Sequence, residues 1–140
     1  MRKQLKQVEE FHRSFGLCVN TLPTLRIPQK VYELRLKIMR EEVEEYKEEY
    51  EIANDSDDAR LRAVAKELAD IAYTLLGTVV SHGLQEEFER VFDAVHESNM
   101  SKLEKDGKPV CREDGKILKS SLYHAPNLDF LVNSQSNKEI

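Results

Sequence analysis

Five carboxylates fall at two helical spacings: Glu41, Glu42 and Glu45 as E-E-x-x-E, and Glu67 and Asp70 as E-x-x-D. Residues three or four apart share one face of a helix, so each set points one way. Two such helices packed together bring the acids into one pocket. There the carboxylates repel one another, and a desolvated charge is costly unless paired. A hard divalent cation offsets both penalties. Mg²⁺ and Mn²⁺ take oxygen ligands, and Mg²⁺ commonly works with substrate phosphates. An acidic run is more often a solvated face, and Glu44, Glu48 and Glu51 fit that description on the polar side of their helix. Ion pairs with Arg35, Arg40 or Lys66 are a second ordinary fate for such acids, but they need no E-x-x-D partner.

Four helices are expected to position these groups. Leu5, Val8, Phe11 and Phe15 recur at helical spacing over 4–16, with Gly16 as a stop. Pro23 and Pro28 mark an ordered loop over 17–29. A long helix follows from Gln29 to Ala53. Asn54 to Asp58 breaks it and caps a third helix over 57–81, which ends at His82-Gly83. A fourth covers 85–99. On a helical wheel, Tyr32, Leu36, Met39, Val43, Tyr46 and Tyr50 form one stripe of the second helix. Val31, Leu34, Ile38 and Ile52 form another, which Glu41, Glu42 and Glu45 interrupt. Two apolar faces imply burial on both sides, one against the protomer and one against a partner chain. In the third helix, Leu61, Val64, Ala65, Leu68, Ile71, Ala72, Leu75, Leu76 and Val79 make the expected core face. Glu67 and Asp70 lie on another side among Ala63, Thr74, Gly77 and Ser81, small neighbours that leave room for a cation and a ligand. Asp114-Gly115 between Val110-Cys111 and Ile117-Leu118 predicts a small β-hairpin over 108–119.

The fold class is therefore all-α: a four-helix bundle protomer with a C-terminal hairpin, forming a homodimer or a dimer of dimers. One domain covers 1–132, and the polar tail 133–140 is expected to be disordered. The net charge of −5 opposes general nucleic-acid binding. Residues 41–51 alone hold seven Glu and one Lys, which concentrates the acid on one helix. No apolar run approaches a membrane span, and the N-terminus lacks the apolar stretch of a signal peptide. Cys18 and Cys111 lack C-x-x-C spacing and fit reduced thiols in a cytoplasmic protein. Asp93 and His96 form a single D-x-x-H, whereas di-iron bundles need two such pairs. His82 fits a helix end, and His124 carries no signal. No P-loop or nucleophile-elbow motif is present.

Glu41-Glu42-Val43-Glu44-Glu45, followed after 21 residues by Glu67-Leu68-Ala69-Asp70, resembles the signature of the all-α nucleoside triphosphate pyrophosphohydrolases. This superfamily includes MazG-like enzymes, dimeric dUTPases, dCTP pyrophosphatases and phosphoribosyl-ATP pyrophosphohydrolases. Phe11-His12 through Phe15-Gly16, Lys66 to Asp70, and Asn99 to Lys102 are similar to the phosphoribosyl-ATP pyrophosphohydrolase-like branch. The resemblance covers Phe11 to about Tyr123. It implies Mg²⁺-dependent cleavage between the α- and β-phosphates of a nucleoside triphosphate, with Mn²⁺ as an alternative ion. The products would be a nucleoside monophosphate and pyrophosphate. It makes Glu42, Glu45, Glu67 and Asp70 the main metal ligands. Glu41 would hold a further metal or position the attacking water.

A triphosphate also needs positive partners. Asn99 and Lys102, one turn apart at the end of the fourth helix, could reach phosphate oxygens. Lys116, Lys119 and Tyr123 follow in positions where the family suggests phosphate contacts. His12 is a candidate for the base pocket, although a buried structural histidine fits its surroundings as well. The base itself is not encoded: selection would rest on helix one and the loop from Asn20 to Pro28. Two alternatives stay open. One is a phosphoribosyl-ATP pyrophosphohydrolase of histidine synthesis. The other is a non-catalytic helical interaction module whose acids only solvate it or bind Ca²⁺.

Overall fold

The structure, a computed structural model, describes residues 1–52 and 56–132. The expected helix end at Ala53, the break at Asn54 and Asp55, and the tail 133–140 lie outside the described residues. Four helices form: α1 (Arg2–Ser14), α2 (Gln29–Glu51), α3 (Asp57–Ser81) and α4 (Phe88–Met100). The chain divides into two compact units, Met1–Glu86 and Glu87–Ile140, taken here one at a time.

In the first unit, α1 and α2 both pack on α3. Leu5, Val8 and His12 recur on one face of α1, and all three are buried. Phe15 caps the helix, and Gly16 turns the chain away at φ 65°. The loop that follows is pinned to the end of α3. The Asn20 amide donates to the Val80 carbonyl at 3.2 Å, and the Thr24 amide to the His82 carbonyl at 2.9 Å. Asn20 Nδ2 donates to the Ser81 carbonyl at 2.6 Å. Gly83 sits at φ 69°, where a Cβ would strike the Leu22 carbonyl, so only glycine closes this corner. The N-terminus of α3 is capped by Ser56, whose Oγ accepts from the Ala59 amide at 3.3 Å. Asp57 and Asp58 in its first turn complement the helix dipole.

The burial of α3 departs from the hydrophobic pattern. Leu61, Leu68 and Leu75, on the expected core face, are 68%, 50% and 46% exposed, whereas Glu67 is 4% and Ser81 0%. The face buried in the chain is the one carrying Glu67, Gly77 and Ser81. Small residues let neighbouring helices approach closely, and α1 and α2 occupy that side. Leu76, Val79 and Val80 are buried as well, near the C-terminal end of α3. On α2 the only fully buried side chain is Arg35, and Tyr32, Leu34, Val43 and Tyr50 are each about half exposed or more. Neither apolar stripe of α2 is closed within the chain.

In the second unit, the end of α4 is stitched to the segment that follows. Ser98 Oγ donates to the His124 carbonyl at 2.8 Å, and Ser120 Oγ donates to the Ser101 carbonyl at 2.8 Å. The hairpin expected over 108–119 does not form as a sheet. Two isolated antiparallel bridges appear, Leu103 with Pro109 and Cys111 with Ile117. The chain does reverse at Gly107 and Gly115, with φ 75° and 83°. Each apolar stretch is only two residues long, and Val110, Ile117 and Leu118 remain over a third exposed, too little burial to extend a ladder. Cys18 and Cys111 are both free thiols. Among the described residues no helix is long and apolar enough to cross a membrane.

Candidate functional site

Three of the five acids converge. One carboxylate oxygen each from Glu42, Glu67 and Asp70 lie within 4.8 Å of one another. Glu42 comes from α2, and Glu67 and Asp70 from adjacent turns of α3, so the packing of these two helices builds the cluster. Burial pushes the Glu42 carboxyl above its ordinary range, and Glu45, Asp70 and Glu67 add to the push while Lys66 opposes it. Glu67 is almost fully buried, and its Oε2 has no hydrogen-bond partner. A buried carboxylate oxygen left unpaired is costly, and a cation is the partner such an atom lacks.

Lys66 supplies part of the compensation. Its ammonium lies 2.9 Å from Glu67 Oε1, 3.0 Å from Asp70 Oδ2 and 3.9 Å from Glu45 Oε2. Hydrogen bonds to Glu67 and Asp70 raise its pKa well above that of an ordinary lysine. Glu45 thus stands at the edge of the cluster. Glu41 is exposed and faces Lys37 at 3.5 Å instead of joining the trio.

Along the same helices a cavity of about 420 Å³ opens between α1, α2 and α3. Phe11, Leu17, Val31 and Ile38 give it an apolar lining, and His12 and Arg35 supply polar groups. The rings of Phe11 and Tyr73 meet edge to face at 5.6 Å. His12 is 2% exposed, and its Nδ1 lies 2.9 Å from the Cys18 carbonyl. A carbonyl only accepts, so Nδ1 carries the proton. Burial holds the imidazole pKa below 6.5 despite that hydrogen bond, and Arg35 depresses it further. Arg35 Nε donates to Thr78 Oγ1 at 3.2 Å, and its Nη2 donates to the Thr74 carbonyl. Burial lowers the pKa of the guanidinium, and no carboxylate offsets it. Arg35 and His12 fit because residue 77 is glycine: a Cβ there would meet Arg35 Nη2 and would lie 2.7 Å from His12 Nε2.

Arg35 is thus not a counter-ion of the acids, as its charge suggested, but a wall of the cavity. The signal that could have marked it is Gly77, a weak helix former inside the last turns of an otherwise well-formed helix. The remaining candidates lie in the second unit. Lys102 Nζ donates to Asn99 Oδ1 at 2.6 Å, Lys119 Nζ stands 4.4 Å from the Tyr123 ring centre, and Lys116 is exposed. Asp93 and His96 are both exposed on α4.

Residues 8–99 match the sequence profile of the family described as phosphoribosyl-ATP pyrophosphohydrolase. The match runs from the second half of α1 through α2, α3 and most of α4, and it includes all five acids. Comparison with curated proteins gives no match. Members of the family are hydrolases of phosphoric anhydrides and are metal-dependent, and the acidic trio provides donors of the required kind.

Proposed function

Because the chain belongs to the phosphoribosyl-ATP pyrophosphohydrolase family, we propose that it is a nucleoside triphosphate pyrophosphohydrolase. It cleaves between the α- and β-phosphates and releases a nucleoside monophosphate and pyrophosphate. The observation that carries this reading is the trio of Glu42, Glu67 and Asp70, together with the buried, unpartnered oxygen of Glu67. Glu42, Glu67 and Asp70, with Glu45 beside them, would hold a divalent cation, Mg²⁺ or Mn²⁺, which would supply neutralisation of phosphate charge and a water of lowered pKa. Glu41 assists from the rim. The helices hold the acids at fixed separation, so little reorganisation is left for the reaction. The cavity beside α1 takes the base, and the family resemblance alone makes Asn99, Lys102, Lys116, Lys119 and Tyr123 candidates for phosphate contacts. The half-exposed leucines of α3 and the open stripes of α2 support assembly with a second copy of the chain. The setting is cytoplasmic removal of surplus or non-standard nucleotides.

The test is pyrophosphate release from a panel of nucleoside triphosphates with and without Mg²⁺. Asp70→Asn should reduce turnover by more than the roughly 10–100-fold that changes outside a ligand set cost. Near-normal activity in that variant would remove the metal assignment. The family description favours a second substrate, phosphoribosyl-ATP, whose base carries an N1 substituent. Higher kcat/KM on that compound than on any simple triphosphate would establish the second reading instead.

A further inference from the structure

We propose that Arg35 and His12 form a paired donor and acceptor that selects nucleotides whose base presents a lactam edge, a ring C=O beside a ring N–H. The preferred bases are oxo-purines such as hypoxanthine and guanine, and uracil among pyrimidines. This inference rests on the proposed function for its phosphates but not for its base chemistry.

The two side chains offer opposite hydrogen-bonding character to one cavity. Arginine carries five N–H donors and no acceptor. The bonds to Thr74 and Thr78 draw on two of its nitrogens and hold the guanidinium plane in place. Its remaining donors stay available at a wall that is 92% buried, since Arg35 is 8% exposed. His12 has its Nδ1 proton committed to the Cys18 carbonyl. In the neutral ring Nε2 is therefore an acceptor, and its pKa below 6.5 keeps the ring neutral at pH 7. Both groups close over the same glycine, Gly77, which places donor and acceptor side by side.

A lactam edge is their complement. Its carbonyl oxygen accepts from Arg35, and the adjacent N–H donates to His12 Nε2. Adenine and cytosine present the reverse order, an amino donor beside a bare ring nitrogen. Their amino group would face the guanidinium donors, and their ring nitrogen would face the imidazole lone pair. Both contacts would leave buried polar groups unpaired, which is how a site rejects an analogue of equal size. The cavity volume suits a small ligand, and its apolar walls suit the ring faces. Arg35 and Glu42 are seven residues apart on α2, about 10 Å along the axis. That separation lets a nucleoside span from the cavity to the acids.

The decisive pair is ITP against ATP, which differ only at this edge; UTP against CTP repeats the comparison. In the intact chain with Mg²⁺, kcat/KM from pyrophosphate release should favour ITP over ATP by about tenfold or more. Arg35→Lys keeps the charge and loses the planar fork, and should shrink that ratio toward one. Arg35→Met serves as a second variant where folding allows. Independently of turnover, inosine and adenosine are titrated against the wild-type protein while the ¹⁵N resonance of His12 Nε2 is followed by NMR. Inosine should shift it and adenosine should not. Equal kcat/KM for ITP and ATP, or equal shifts with the two nucleosides, overturns the inference while leaving the pyrophosphohydrolase reading intact. Selective binding of inosine without pyrophosphate from any nucleotide supports the inference and removes the proposed activity.

Discussion

Lys66 lies against three carboxylates that a cation would also claim. Its ammonium is a stand-in for positive charge in the metal-free chain, so lysine and metal compete for the same oxygens. Lys66→Gln should lower the melting temperature of the metal-free protein, because Glu45, Glu67 and Asp70 lose the countercharge that Lys66 supplies. It should also tighten Mg²⁺ binding severalfold, because no ion pair must first be broken. Thermal melts without metal check the first and calorimetric titration the second, and unchanged affinity would show that Lys66 does not contest the site. His12 carries a pH prediction of its own. The folded imidazole resists a proton that the unfolded chain accepts at its ordinary pKa of 6.5. More protons are then bound by the unfolded state below that pH, and stability rises with pH wherever this holds. The contribution is therefore fully present above about pH 6.5 and is lost as acid is added below it. Thermal melts between pH 7.5 and 5 should show a steeper acid decline for wild type than for His12→Gln.

At the scale of elements, α3 carries most of the lesson. The E-x-x-D spacing placed Glu67 and Asp70 one turn apart on a single face, and that part was legible because local geometry dictates it. Helix positions were legible for the same reason: the Ser56 cap and the Gly16 and Gly83 stops are local signals. Which face of α3 turned inward was legible only toward its C-terminal end, where Leu76 and Val79 are buried as expected. Hydrophobicity pointed to Leu61, Leu68 and Leu75, but close approach of helices depends on the shape of small residues, which no hydropathy pattern records. The place of Arg35 was not legible either: an ion pair with the acids was one ordinary possibility, while the chain supplies a carbonyl, a hydroxyl and a glycine gap. The hairpin failed because two-residue stretches can turn without building a ladder. Gly77→Ala tests the gap directly. Alanine favours a helix interior by roughly 0.5–1 kcal/mol over glycine. Its methyl would nonetheless displace Arg35 and His12, and overpacking costs about 1–3 kcal/mol. The variant should melt lower than wild type, and a higher melting temperature would mean the gap is not filled as described.

For the whole molecule, the row of half-exposed leucines on α3 is the feature a lone chain explains least. Fully burying an exposed leucine is worth about 1.5–3 kcal/mol, so finishing the burial of a half-exposed one is worth about half of that, and a second copy covering the row would collect several such increments. Leu68→Glu places a charge in the middle of that row. Sedimentation velocity should show the wild type as a dimer or larger and the variant shifted toward monomer, with helix content retained by circular dichroism. An unaltered profile would place the assembly surface elsewhere, with the open stripes of α2 the next surface to probe.

The segment after α1 is fastened mostly through its main chain: Leu17 and Thr24 donate by their amides, and Cys18 accepts by its carbonyl. The side chains of Leu17 and Cys18 meanwhile border the cavity. At Leu17 attachment and lining are thus divided between different atoms of one residue, whereas the Cys18 Sγ also donates to the Ser81 carbonyl at 4.0 Å. A lineage could exchange the Leu17 side chain and so alter what the enclosure admits, while the main-chain clamp stayed as it is.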